Sequence, residues 1–143
     1  MIVPSKGTDL SGLKEQLKGS KLVIPTHSAG LSACIAVDLF ILNQPETVKI
    51  GYYKSKYIAS GVSNDGLTPE GAELGGLILP CELFFNPKHK MLFFVLRSSV
   101  FDGKMRLFTD ELVKFIKEHS LQQVLILSST LNPIRKERET NRS

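Results

Sequence analysis

The residue types most able to do chemistry gather in one turn, Thr26-His27-Ser28-Ala29-Gly30, with Ser32 two positions beyond it. A helix starting there would present its first backbone N–H groups, with the Ser28 and Ser32 hydroxyls, to a phosphate-like anion. The same residues have a purely structural reading, in which Ser28 caps the helix and Gly30 permits close packing. The turn carries a single glycine, and neither GxGxxG nor GxxxxGK[ST] occurs. His27 beside Ser28 is not a catalytic pair by adjacency, because a triad is a spatial arrangement and no GxSxG elbow is present.

Asp38 is the second residue of note, a lone carboxylate in an otherwise apolar stretch. A carboxylate in such a setting needs a partner, and Lys49 and Arg97 are the expected ones, in a structural ion pair. Glu70, Glu73, Glu82 and Asp102 show no paired spacing that demands acid–base work. Cys34 and Cys81 lie far apart in apolar surroundings, which suits buried reduced thiols in an intracellular protein. Neither stands in a metal-ligand spacing, so no metal and no cofactor is expected.

These residues must be positioned by the elements around them. Lys21 to Asn43 reads as a short strand at Leu22–Ile24, the turn, and a helix from Leu31 to Leu42 that is apolar except at Ser32 and Asp38. A helix apolar nearly all round is expected to be buried on several sides. It is too short for a bilayer, which takes about 20 apolar residues. Ahead of it, Leu13 and Leu17 share one face of a short amphipathic segment within a peripheral region, 1–20.

Beyond it, Pro45 breaks the helix and residues 47–53 alternate as a strand, which gives β–α–β. A short strand at 57–62, a loop at 63–71, and strands at 75–86 and 90–98 joined by Asn86-Pro87-Lys88-His89 follow. Pro80 implies an edge position or a bulge. Phe108, Leu112, Phe115, Ile116 and His119 form one stripe of a helix over 104–119. Val124–Ser128 has the continuous apolar run of a strand in the buried centre of a parallel sheet.

The expected fold is α/β, with a mixed sheet of about five or six strands flanked by helices. A single domain over 1–130 and a polar, frayed tail over 131–143 are expected. Phe84 and Phe85 face Phe93 and Phe94 across the hairpin, so both faces of the sheet are apolar there. One face belongs to the core. The other is covered either by a helix of this chain or by another protein, which makes these four residues a candidate partner interface.

Composition narrows the function classes. With 143 residues, 42% hydrophobic and 22% charged, the chain is sized and mixed like one globular domain rather than a disordered one. The net charge of +4 is scattered and forms no basic stripe with interleaved aromatics, so nucleic-acid binding is not expected. The start, MIVPSKGTDLSG, lacks the charged and apolar regions of a signal peptide, and no membrane partner is expected.

Several short motifs occur in a particular order: Ile2-Val3-Pro4, Ile24-Pro25 followed by Ser28-x-Gly30, Ala36-x-Asp38-Leu39 and Lys49-Ile50-Gly51-Tyr52. Thr68-x-Glu70-Gly71, Leu96-Arg97-Ser98 and Val124 through Ser129 continue the series. In that order and spacing they resemble the proteasome assembly chaperone 2 family.

The resemblance implies an α/β fold similar to nucleoside phosphorylases but without catalysis or catalytic residues. It further implies a heterodimer with proteasome assembly chaperone 1 that binds proteasome α subunits, promotes α-ring formation and restrains off-pathway association. Such a protein is expected in cytoplasm and nucleus. Family members are longer, so this chain looks like their N-terminal part, and its polar end does not resemble their continuation. It also lacks the C-terminal hydrophobic–tyrosine–any motif that some members or their partners use for docking. The alternative is a small phosphate- or nucleoside-binding enzyme of phosphorylase-like fold, with Ser28, Gly30 and Ser32 at its anion site.

Overall fold

A computed structural model describes residues 1–5, 10–26, 29–61, 63–64 and 77–129. The elements in chain order are β1 (Ile2–Pro4), α1 (Leu10–Leu17), β2 (Lys21–Pro25), a 3-10 turn (Ala29–Leu31), α2 (Ser32–Asn43) and β3 (Val48–Tyr53). They continue with β4 (Ser63–Asn64), β5 (Leu77–Ile78), β6 (Cys81–Asn86), β7 (Met91–Leu96), α3 (Met105–Glu118) and β8 (Gln123–Leu127). Six strands make one mixed sheet in the order β1-β3-β6-β7-β2-β8, while β4 and β5 pair separately. The fold is α/β, as the sequence implies.

The β–α–β expectation holds in direction but not in adjacency. β2 is parallel to β7, and β7 and β3 are both antiparallel to β6, so β3 points the same way as β2. The β6–β7 hairpin sits between them. Its strands can do so because each buries side chains on both faces. Leu83, Phe85, Leu92 and Phe94 point to a cluster completed by Leu13 and Leu17 of α1 and Phe108 and Phe115 of α3. Phe93 and Val95 point the other way, onto Val37 of α2, with Phe40, Ile41, Phe84 and Leu127 packed around them.

Phe93 stacks on Phe40 at 5.2 Å between ring centres, and Phe94 meets Tyr53 at 5.1 Å and Phe115 at 5.9 Å. The hairpin phenylalanines therefore do not form an open partner interface. Phe85, Phe93 and Phe94 are buried and Phe84 is partly buried, all under helices of this chain. Full burial of each such ring stabilises by about 1.5–3 kcal/mol.

Other expectations also shift. The 57–62 strand reduces to a single bridge between Ile58 and Val100. Pro80 separates β5 from β6, since proline cannot donate to a ladder. Residues 65–71 of the expected loop, 75–76 of the strand expected after it, and the tail 131–143 lie outside the described residues, while 63–64 of that loop form β4. The hairpin turn is fixed by buried Asn86, whose Oδ1 accepts from the His89 N–H at 3.0 Å and whose Nδ2 donates to Thr47 Oγ1 at 2.9 Å.

Gly51 lies where β1 meets β3, at a register shift in the β3–β6 ladder. A Cβ there would come within 2.3 Å of the Val3 carbonyl oxygen. Gly51→Ala should therefore dislodge β1, seen as faster amide exchange over residues 2–4 and a lower urea midpoint. A midpoint unchanged from the parent would contradict this packing.

α3 is tied to β3 through Glu111, which accepts from the Tyr53 hydroxyl at 3.0 Å and the Ser55 hydroxyl at 2.7 Å. Burial, reinforced by the Glu111 hydrogen bond, raises the Tyr53 phenol above its ordinary value of 10.0. Burial likewise raises the Cys81 thiol above 9.0. Both folded groups hold their protons at pH values where the unfolded ones release them. Stability from this source is present below about pH 9 and falls as pH rises past 9–10. Tyr53→Phe with Cys81→Ala should flatten that alkaline loss in a pH series of urea midpoints.

Candidate interaction surface

The expected anion turn takes a different form from the one the sequence suggests. Gly30 and Leu31 both adopt left-handed backbone angles, φ 68° and 52°. α2 consequently begins at Ser32, with Leu31 in the cap position and no side-chain cap hydrogen bond. Ser28 is thus not the N-cap of α2, and Ser28 and His27 themselves lie outside the described residues. Two successive left-handed residues displace the helix start beyond the position that Ser28 could cap. Ser32 stands exposed in the first turn of α2.

Asp38, in contrast, finds one of its expected partners. Arg97 Nη1 and Nη2 donate to Asp38 Oδ2 and Oδ1 at 3.0 and 2.8 Å, a bidentate fork. Arg97 Nε also donates to Glu82 Oε2 at 3.0 Å, and Lys49 pairs with Glu82 Oε1. Lys49 therefore reaches Asp38 only through this chain of charges. The series Lys49–Glu82–Arg97–Asp38 spans β3, β6, the end of β7 and α2. Sequence reasoning set Glu82 aside for want of a nearby acid. Its signal was its place in the strand, two residues past Pro80 and on the face shared with Phe84.

The Glu82 side chain is only 3% exposed, so its charge must be answered inside the protein. Burial alone would lower the Arg97 proton affinity, but its hydrogen bonds to Asp38 and Glu82 outweigh that and raise it. Nearby, burial and then the Asp38 charge raise the Cys34 thiol, which keeps it protonated and weakly nucleophilic. Among the described residues no His/Cys/Asp/Glu group could hold a metal ion, and every buried side-chain N or O has a hydrogen-bond partner. The cluster offers fixed charge pairing that fastens α2 to the sheet.

What the fastened helix presents outward is apolar. Ala33 and Val37 face the sheet, whereas Leu31, Ile35, Leu39 and Leu42 form a stripe on the opposite side, each at least 52% exposed. The expected burial of α2 on several sides is met on one side only. β8 departs in the same sense. Among the described strands it lies at the sheet edge, paired with β2 alone, not at the buried centre of the sheet. Val124 and Ile126 stand open on the α3 face and Leu125 on the α2 face, with Ile126 63% exposed.

Leu127 joins the cluster under α2, and the Thr26 N–H and hydroxyl both donate to its carbonyl at 2.9 and 3.1 Å. Leu127 thus joins β8 to the α2 layer, while the α2 stripe faces away from the sheet and Val124 and Ile126 open on its other face. These exposed apolar residues make α2 and β8 the candidate interaction surface of the described residues. No helix of the described residues is long and apolar enough to cross a membrane.

The geometry defines an α/β scaffold whose charged cluster is structural and whose open flank is apolar. Two solved structures share this fold. A Thermoplasma acidophilum protein of unknown function superposes with TM-score 0.66 over 96% of this chain and 55% of its own, at 15% identity. Pyrococcus furiosus PbaA, described as an archaeal homolog of proteasome-assembly chaperone, superposes with TM-score 0.63 over 84% and 48%, at 15% identity.

In sequence, the chain is related to the proteasome assembly chaperone 2 family, as its ordered motifs imply. The Xenopus laevis protein of that name is 31% identical over 112 residues, 77% of this chain and 42% of its own length. The human protein is 27% identical over 80% of this chain and 43% of its own, and that of Nematostella vectensis 30% over 78% and 46%. This chain therefore spans less than half the length of these relatives. No family model matches it.

Replacing Arg97 tests the charged cluster. Arg97→Met takes the cation from Asp38 and leaves Glu82 with Lys49, and should lower unfolding stability by about 3 kcal/mol. Arg97→Lys keeps the charge, loses the fork, and should cost less. Equal urea midpoints for all three proteins would show that the cluster does not fasten α2.

Proposed function

We propose that the chain is a non-enzymatic subunit of a proteasome assembly chaperone that works through its surface rather than through a reactive group. Its direct partners are proteasome assembly chaperone 1, in a heterodimer, and α subunits of the 20S proteasome, whose ring assembly it promotes. Its expected place of action is the cytoplasm and nucleus, where those partners assemble.

The observation that carries this reading is the sequence kinship with proteins named proteasome assembly chaperone 2 over about four-fifths of the chain. The open apolar flank supports it, because a protein acting by binding needs such a surface and a self-contained enzyme does not. The protonated Cys34 thiol and the fully engaged Arg97 and Glu82 leave that cluster little chemistry beyond holding α2.

The test is co-expression of this chain with proteasome assembly chaperone 1 and proteasome α subunits, with the longer human relative in parallel. Recovery of both partners on the tagged chain, as on the human protein, is the expected outcome. Recovery on the human protein alone would overturn the reading for this chain.

A further inference from the structure

Positive charge that is scattered along the sequence is gathered by the fold at one end of the sheet. Val48 pairs with Phe85, Asn86 with Met91, and Lys21 with both Met91 and Gln123. β3, β7, β2 and β8 therefore all start, and β6 ends, at the same end. Four turns close it: 18–20 after α1, 44–47 after α2, 87–90 between β6 and β7, and 119–122 after α3.

Hydrogen bonds join these turns into one surface. The Gly19 N–H donates to the Ser120 carbonyl at 3.0 Å, and the Gln122 N–H to the Ser20 carbonyl at 2.9 Å. The Lys21 N–H donates to the Lys90 carbonyl at 2.8 Å. Asn86 Nδ2 donates to Thr47 Oγ1 at 2.9 Å and Lys88 Nζ to Glu46 Oε1 at 3.1 Å, which ties in the turn after α2.

Lys18, Lys21, Lys88 and Lys90 stand exposed here, with Lys117 in the last turn of α3. Among the described residues only Lys88 of these five is ion-paired, to Glu46. The other carboxylates at this end are Glu118 and, one turn back along α1, Glu15. Lys18 and Lys117 have a structural duty, since cations suit the negative ends of α1 and α3. Lys21 and Lys90 have no such duty. They are unpaired like charges on hydrogen-bonded neighbours, which repel each other. Lys90 also holds a left-handed backbone angle, φ 48°, where glycine or asparagine would fit more easily. An anion between the two would turn their repulsion into attraction.

The free groups define the class of anion. The backbone N–H groups of Gly19, Lys21, Lys90 and Gln122 are spent within and between the turns, so the donors left are ammonium groups. Ammonium groups bind phosphate as point charges. His89 and His119 are turned against Phe40 and Phe115 of this chain, with ring centres 6.4 and 4.5 Å apart, and do not offer themselves for base stacking. The lysines come from three separate turns and cap the end of the sheet. That arrangement fits a compact anion better than an extended strand, which needs charges along a line.

We propose that this end of the sheet binds a compact anion carrying several phosphates, of the inositol phosphate class, with Lys21 and Lys90 at its centre and Lys18, Lys88 and Lys117 around them. The site goes beyond the proposed function and does not rest on it. Its contacts are solvent-exposed charges, so its affinity should fall steeply as salt rises.

The test titrates the purified full chain calorimetrically with inositol hexakisphosphate, with polyglutamate and with a single-stranded DNA oligonucleotide. One-to-one binding of the hexakisphosphate is expected, tighter than that of the other two. Lys21→Glu with Lys90→Glu should weaken it roughly 100-fold, and Lys21→Gln with Lys90→Gln roughly 10-fold. Lys54→Glu with Lys56→Glu makes the same change in net charge beyond the opposite end of β3, and should leave the affinity within about 3-fold of the parent. Phosphatidylcholine vesicles with and without phosphatidylinositol bisphosphate separate a lipid headgroup from a soluble phosphate. Tighter binding to the bisphosphate vesicles, lost with Lys21 and Lys90, supports the same site with a lipid as its source.

No binding of hexakisphosphate or of bisphosphate vesicles would overturn the proposal. So would binding that the Lys54 and Lys56 pair weakens as much as the Lys21 and Lys90 pair does. Tighter binding of polyglutamate or DNA, lost with Lys21 and Lys90, would overturn the assigned class of ligand.

Discussion

A strand buried on both faces obliges a protein to supply two covering layers, and β7 is such a strand. Phe93 and Phe94 are adjacent in sequence and point to opposite sides of the sheet, one 2% and the other 0% exposed. α2 must lie over the first and α1 with α3 over the second. Nearly everything else in the structure follows from that requirement. The hairpin must sit in the middle of the sheet, β3 must be pushed two strands away from β2, and the helices must be shared out between the faces. Three helices suffice to cover β6, β7 and β2. Of β8 they cover only Leu127, and Val124, Leu125 and Ile126 stay exposed.

This shortfall explains which parts of the structure were legible in the sequence. Local pattern read the elements well, because period and punctuation are local properties. The stripe from Phe108 to Ile116 lies on α3 as its spacing implies, and Leu13 and Leu17 share the buried face of α1. Adjacency in the sheet was not legible, since insertion of the β6–β7 hairpin between β3 and β2 depends on contacts distant in sequence. The hairpin phenylalanines were read correctly as apolar on both faces, but their cover comes from within the chain. Conversely, α2 and β8 carry the composition of fully buried elements and are half open. In these two elements the sequence describes burial that the folded chain does not supply.

The charged cluster gives the apolar flank its definition. Asp38 is the one acid on α2, and its fork with Arg97 fixes the rotation of the helix about its axis. With Val37 turned to the sheet and Asp38 held at the side, Leu39 and Leu42 have to point outward. The pairing of Asp38 with Arg97 was legible as a need, because a carboxylate in an apolar helix demands a cation. Glu82 at the centre of the cluster was not, because its burial arises only when β6 is placed between β3 and β7. The turn before α2 was misread for a related reason. Left-handed angles at Gly30 and Leu31 move the helix start, and a leucine at a left-handed position is not foreseeable from type alone.

The central claim is that α2 and β8, and not the hairpin or α3, form the face through which this protein meets others. Hydrogen exchange read by mass spectrometry, on the chain alone and in the complex with its co-purified partners, tests this most directly. In the free chain, amides of 123–127 should exchange faster than those of 91–96 in the same sheet. In the complex, protection should be gained over 123–127 and 31–43. Protection gained over 105–118, with the β8 amides unchanged, would contradict the claim.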